Sequence, residues 1–246
     1  MNNKTWIIFS VVCVAIIGGL IALSRNNRID VSNINVNVSH SAAPISGNIA
    51  DHTFGNMKSK VILIEYGDYQ CPGCGDLYPI LKQITEKYQD QLGFIFRNFP
   101  LTSIHPNSLA ASSTAEAASL QGKFWEVHDL LYQNQNSWNT LPPNQRGDYF
   151  ASLVSNVGLD KAKFATDVNS DAVRQKISFD TALGEKINIA GTPTIFLNGD
   201  KVSDMHYNGD KITTDTKDPY VWGDAGAFEK LIIIPALQKN GIKLPE

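Results

Sequence analysis

The chain has 246 residues, of which 43% are hydrophobic, a net charge of −3 and three cysteines. That is enough apolar material for one sizeable core, and the proportions of glycine, proline and charge are those of a folded domain. A mildly acidic chain without a basic patch has no electrostatic footprint for nucleic acid. No internal repeat is visible.

Trp6 to Leu23, WIIFSVVCVAIIGGLIAL, is a run of 18 residues without a charge. As a helix it would span about 27 Å, close to the hydrocarbon layer of a bilayer. Residues 1–25 therefore read as a single transmembrane anchor or as a cleaved signal with a weak site at Ala22-Leu23-Ser24, and the length of the run favours the anchor. Lys4 and the free amino group on one side balance Arg25 and Arg28 on the other, so charge sets no orientation. In the commonest arrangement either reading delivers the rest of the chain to the extracytoplasmic side, where paired thiols can be oxidised. Cys13 sits mid-run as a small lipid-facing or packing residue.

Residues 26–50 are rich in Asn and Ser and lack a clear period, so they read as a tether, with an alternation at INVNV that would suit an added edge strand. From residue 51 to 246 the pattern is that of a mixed α/β domain. VILIEY (61–66) is a buried strand. Leu77, Ile80, Leu81, Ile84 and Tyr88 recur at spacings of three and four, which predicts a helix from about 72 to 89. GFIFRNFP (93–100) is a second strand. Strand, helix and strand in this order form a βαβ unit with a parallel pair. A helical block of roughly 80 residues follows, at about 103–188, with Asn107 as a cap and repeated proline starts and glycine stops. TPTIFLNGDKVSD (192–204) is a strand and hairpin turning on Asn198-Gly199. A polar stretch (205–224) precedes a last helix at about 225–240.

Two of the three cysteines stand two residues apart in YQCPGCGD, at the first strand–helix junction. Pro72 suits the first helical position, which puts Cys71 at the helix N-terminus. Free backbone N–H groups and the helix dipole favour an anion there, so the Cys71 thiol should be acidic. Cys74 lies one turn in, on the same face. Three readings compete. A zinc site needs two more ligands, and the histidines, at 40, 52, 105, 128 and 206, are scattered singly. A structural disulfide closing so short a loop would restrain little of the unfolded chain. A redox couple, with Cys71 attacking and Cys74 resolving, is the reading these residues favour.

VILIEYGDYQCPGC, followed far downstream by GTPT, resembles the DsbA-type thiol–disulfide oxidoreductases of thioredoxin fold, and among them the membrane-tethered bacterial branch with an inserted helical domain. DHTFGNMKSK, RNFPL, HPNS and GKFWEVHDLLY add to the likeness, which covers roughly residues 50–200. The resemblance implies an α/β thioredoxin fold with the helical block as an insertion. It implies that Glu65 is a buried acid beneath the cysteines, relaying a proton to or from the resolving sulfur. It implies a cis peptide before Pro193, holding Thr192 beside the sulfurs, where its backbone would pair with an incoming cysteine peptide. The Pro72-Gly73 dipeptide departs from the pattern. Strong oxidants of the family often carry a histidine between the cysteines, and Gly73 offers no side chain, so the helix terminus is left to hold the thiolate.

The expected function is an oxidoreductase that introduces disulfides into reduced, cysteine-containing client proteins. It needs no cofactor or metal, and the resemblance implies reoxidation by a quinone-linked membrane protein. One rival is a reductase or isomerase using the same site, although isomerases of this kind dimerise through an extra N-terminal domain for which residues 26–50 are too short. Another is a non-catalytic module binding peptide or metal. His105 reads as a loop or cap residue, and Phe124, Trp125 and Tyr132 as core. The acidic loop 208–224 lacks EF-hand spacing and reads either as a substrate or partner surface or as a solvated loop.

Overall fold

The computed structural model describes residues 6, 9–16 and 29–245. The domain is built on a five-stranded sheet. Its strands are β1 (His52–Gly55), β2 (Ile62–Gly67), β3 (Gly93–Asn98), β4 (Thr194–Leu197) and β5 (Asp200–Lys201), in the spatial order β1-β3-β2-β4-β5. β2 and β3 run parallel, joined by helix α1 (Pro72–Lys87), while β1 and β4 are antiparallel to their neighbours. This is the mixed α/β arrangement expected of a thioredoxin fold.

Period-two alternation explains why the central strands are apolar throughout. Leu63, Phe94, Phe96, Ile195 and Leu197 face one buried cluster with the apolar side of α1, and Ile64, Tyr66 and Ile95 face the other. Glu65 shares the parity of Leu63, so the alternation that fills the core also sends a carboxyl into it, on the α1 side. The hairpin between β4 and β5 turns on Asn198 (φ 52°) and Gly199 (φ 89°), both in the left-handed region that a two-residue hairpin loop favours.

Between β3 and β4 lies the helical insertion. It comprises α2 (Ser108–Ser119), α3 (Phe124–Gln133), α4 (Gln135–Trp138), α5 (Pro143–Leu153), α6 (Lys161–Asp167) and α7 (Asp171–Lys186). Asn107 takes the cap position of α2, but its side chain does not cap; its amide donates instead to the carbonyl of Leu141 at 2.9 Å. After the sheet, β6 (His206–Asn208) and β7 (Lys211–Thr213) form a small hairpin. The last helix is not the single helix expected over 225–240. It begins as α8 (Ala225–Phe228), passes through a π turn at Glu229–Ile233 and resumes as α9 (Ile234–Lys239). Pro235, which has no N–H, interrupts the regular ladder at that point.

A buried polar network pins the insertion to the sheet. Arg97 of β3 donates to Asp51 at 2.8 Å, and Lys176 of α7 donates to Asp51 at 2.9 Å and Asp180 at 2.6 Å. Asn98 reaches Asp180 and Glu116, and Glu116 pairs with His52 at 2.8 Å.

Half of the run Trp6–Leu23, read as an anchor or signal, lies outside the described residues. Residues 9–16 of it are helical, and among the described residues no helix is long and apolar enough to cross a membrane. The segment read as a tether is, from Ile29 onward, folded against the domain: Val31 and Ile49 are buried. INVNV forms no strand. Arg97 takes the carbonyls of Val36 and Val38 at 2.5 and 2.6 Å, and Lys186 takes those of Val31, Ser32 and Ile34.

Candidate active site

Cys71 occupies the N-cap of α1, with Pro72 as the first helical residue. Cys71 and Cys74 are both free thiols, and their environments differ sharply. The Cys74 thiol donates to the Cys71 sulfur. Against the cost of burial, and with the backbone N–H groups of Cys74 and Gly73 behind it, that bond pulls Cys71 down from the ordinary 9.0 to about 5. Cys74 has no exposed surface; burial, and the proton it shares with Cys71, push it well above the usual thiol range. The N–H of Asp68 reaches the Cys74 sulfur at 3.5 Å.

The Thr192–Pro193 peptide is cis. The carbonyl of Thr192 accepts from the Cys71 thiol at 3.2 Å, so the segment leading into β4 lies directly against the sulfur. Glu65 is buried on β2 between Phe96 of β3 and Ile195 of β4. Burial, then the nearby Cys71 charge, raises it from 4.5 to about 8, so its carboxyl holds a proton at neutral pH. The structure thus brings Glu65, Cys71, Pro72, Gly73, Cys74, Thr192 and Pro193 into one site.

Two contributors carried no sequence signal of their own. Gln135 of the insertion donates its side-chain amide to the carbonyls of Tyr69, at 2.7 Å, and Cys71, at 2.9 Å, which fixes the loop that ends at the N-cap. The one hint was Gly75, a glycine in the first helical turn where alanine would be favoured. A Cβ there would lie 2.5 Å from the Gln135 amide oxygen. The second contributor is Trp222, from the end of the acidic loop. A Cβ on Gly73 would lie 3.2 Å from the Pro193 ring and 3.8 Å from the Trp222 indole. The bare glycine therefore lets proline and indole close in beside the thiols, and the indole N–H is tied to the carbonyl of Ser203 at 2.9 Å.

The loop is anchored elsewhere as well. Buried Asp68 accepts from the N–H groups of Gln70 and Leu101 and faces His105 at 2.7 Å, so His105 braces the loop. The other histidines are engaged singly too: His52 with Glu116, His128 with Asp129, His206 with the carbonyl of Asp218, and His40 edge-on to Phe179. Phe124 and Tyr132 are core residues, and Trp125 is part-buried with its N–H on the carbonyl of Thr53.

A parallel strand pair crossed by a helix, an antiparallel partner entered through a cis-proline and a CxxC at the helix tip define a thioredoxin-like protein. The chain belongs to the thioredoxin family, whose model, described as "Thioredoxin", matches residues 47–212. Among solved structures it is similar to alpha-DsbA1 of Wolbachia pipientis, with a TM-score of 0.61 and 23% identity over 79% of this chain and 94% of that one. BdbD of Bacillus subtilis superposes with a TM-score of 0.56 and 20% identity over 82% and 98%. These likenesses show the fold, a thioredoxin-like core with a helical insertion. Two curated relatives are named Na(+)/H(+) antiporter NhaA 1. The one from Mycolicibacterium vanbaalenii is 33% identical over 61% of this chain and 23% of its own length; the one from Salinispora arenicola is 34% identical over 61% and 22%. The chain thus spans about a quarter of the length of these relatives.

Proposed function

We infer that this protein is a thiol–disulfide oxidoreductase that introduces disulfides into client proteins. The observation that carries the reading is the inequality of its two thiols: Cys71 is pulled down to about 5 and lies against Thr192, while Cys74 is sealed and held protonated. A client thiolate attacks Cys71 of the oxidised pair, the Cys71–Cys74 bond breaks, and Cys74 takes the proton held by Glu65. A second client thiolate then attacks the client sulfur of the mixed disulfide. Cys71 leaves as a stabilised thiolate, and two electrons have passed from client to enzyme. An acidic leaving thiol favours this direction. Trp222 and the Thr192 backbone form the surface on which an extended client segment would lie.

The reading includes an extracytoplasmic, membrane-anchored placement, supported by the apolar run at residues 6–23, and reoxidation by a quinone-linked membrane protein, supported by the DsbA resemblance. The antiporter names of the curated relatives belong to chains of which the match covers about a quarter, and transport forms no part of the reading.

Equilibrating the full chain in glutathione buffers and trapping free thiols tests the direction. An oxidase should settle well above the potential of about −270 mV typical of thioredoxin. A value at that level would make the protein a reductase, a reading that the missing histidine at Gly73 favours. Full activity in Cys71→Ser, or stoichiometric metal in the purified protein, would replace both with a non-catalytic module.

A further inference from the structure

Glu65 must regain a proton after each donation, and it is buried. Its Oε1 is buried and unpartnered, and so are His128 Nε2 and the hydroxyls of Tyr69 and Tyr132. These residues converge: the Tyr69 and Tyr132 rings lie 4.9 Å apart, and the His128 ring is 5.6 Å from the first and 5.1 Å from the second. Glu65 and His128 line one cavity of about 60 Å³. Buried polar atoms are almost always satisfied, and a cavity of this size with polar walls has room for a few waters. At its outer end stand Lys82, Glu86 and Asp129. Lys82 holds Asp129 at 2.6 Å and Glu86 at 3.0 Å, and its side chain is 41% exposed.

We propose that water in this cavity carries protons between Glu65 and solvent, with His128 as the positioning residue that holds the chain through Nε2. Asp129, 3.3 Å from His128 Nδ1, accepts the ring N–H and leaves Nε2 as an acceptor facing the cavity. The titratable groups around the route are Glu65, Cys71 and Cys74 within; Tyr69, Tyr78, Tyr132 and His52 around His128; and Lys82, Glu86 and Asp129 at the mouth. When Cys74 leaves as a thiolate, it takes the carboxyl proton of Glu65. The carboxylate takes a proton from the adjacent water, and the deficit passes outward to bulk solvent at Asp129. Reoxidation of the dithiol sends the proton back along the same path. The proposal rests on disulfide exchange at Cys71–Cys74, which it extends by naming where the proton goes.

The test reads the proton directly. The full chain is transferred into D₂O and the carboxylic C=O band of Glu65, assigned by its loss in Glu65→Gln, is followed by infrared spectroscopy. Wild type should exchange rapidly. His128→Phe, which puts an apolar ring in the path, should slow exchange at least tenfold, and His128→Gln, which keeps a hydrogen-bonding end, should return most of the rate. Exchange at the wild-type rate in a folded His128→Phe would overturn the proposal. If that variant does not fold, a high-resolution structure of the wild type decides: ordered water bonded to Glu65 Oε1 and His128 Nε2 supports the route, and a dry cavity refutes it. Absence of disulfide exchange in the wild type would instead strike at the function proposed above, while the infrared measurement would still report on the route.

Discussion

The acidity of Cys71 has a consequence for folding that can be measured without any client. The fall from 9.0 to about 5 corresponds to about 5 kcal/mol between the two protonation states. A sulfur whose folded value is depressed stabilises the native state fully above the unfolded value, near pH 9, and loses that contribution as pH falls through 5. At pH 7 the unfolded chain keeps its proton and the folded chain does not, which leaves about 3 kcal/mol in favour of the reduced fold. Glu65 acts in the opposite sense. Raised to about 8, it favours the native state at low pH and costs stability as pH rises toward 8. Its burial is common to both redox states, so comparing them removes most of that term. Urea unfolding of the reduced and the oxidised protein at a series of pH values is the assay. The stability of the reduced form relative to the oxidised form should climb between pH 5 and 9, with a slope approaching about 1.4 kcal/mol per pH unit. Cys71→Ser cannot form the disulfide, so it is read through its own stability, from which the rise between pH 5 and 9 should be missing. A difference that stays flat from pH 5 to 9 would mean that the sulfur titrates as an ordinary thiol, and the electrostatic account of the site would fail.

Other outcomes follow from the packing around the site. Lys176→Met strands Asp180, and removes one of two cations from Asp51, in a fully buried network; urea titration at pH 7 should show a loss of about 3–5 kcal/mol. Gly75→Ala drives a methyl into the Gln135 amide and frees two carbonyls of the active loop. The helix gains propensity from alanine, but the lost bonds outweigh it, for a net loss of about 1–2 kcal/mol, and thiolate absorbance should show Cys71 titrating at higher pH. Trp222→Phe should abolish most of the tryptophan fluorescence change between the reduced and oxidised protein, because this indole is the one that stands beside Gly73.

How much of the site a sequence reveals depends on how local its determinants are. The reach of Cys71 to Cys74 is set by one helical turn, and the acidity of Cys71 by the thiol that this turn brings to it together with its place at the helix tip, so the run Cys71–Cys74 carries most of both. The parity that buries Glu65 is equally local, being the alternation of VILIEY. The Asn198-Gly199 turn is a dipeptide signal. Gln135 and Trp222 are different in kind. Each lies more than sixty residues from the cysteines, on elements whose own patterns announce nothing, and each acts through a glycine that has no side chain to be noticed. The INVNV alternation misled for a related reason. It reads as a strand seeking an edge, but Arg97 and Lys186 bring side-chain donors to carbonyls that a neighbouring strand would otherwise have satisfied. Local pattern shows that a segment wants hydrogen bonds, not which distant donor supplies them.

The placement of these distant groups suggests what the helical insertion is for. The core alone would provide a CxxC at a helix tip, and the acidity of Cys71 rests first on the Cys74 thiol and then on the Thr192 side chain and the N–H groups of Cys74 and Gly73. Within the loop, Asp68 accepts from the Gln70 N–H at its carboxylate and from the Cys71 N–H at its carbonyl, and the insertion adds to that hold. Gln135 ties down the carbonyls of Tyr69 and Cys71, the Asn107 N–H and the Asn139 carbonyl hold the Gln70 side chain, and His105 braces Asp68. All of these partners come from the chain between β3 and β4. Donors that are already aimed need not reorganise when charge appears on the sulfur, and preorganisation of this kind is what makes a backbone dipole effective in a buried site. With glycine between the cysteines there is no side chain to supplement those donors. The insertion holds the loop that carries them, through Gln135 on the carbonyls of Tyr69 and Cys71, and so helps keep the Cys74 thiol and these N–H groups on the sulfur.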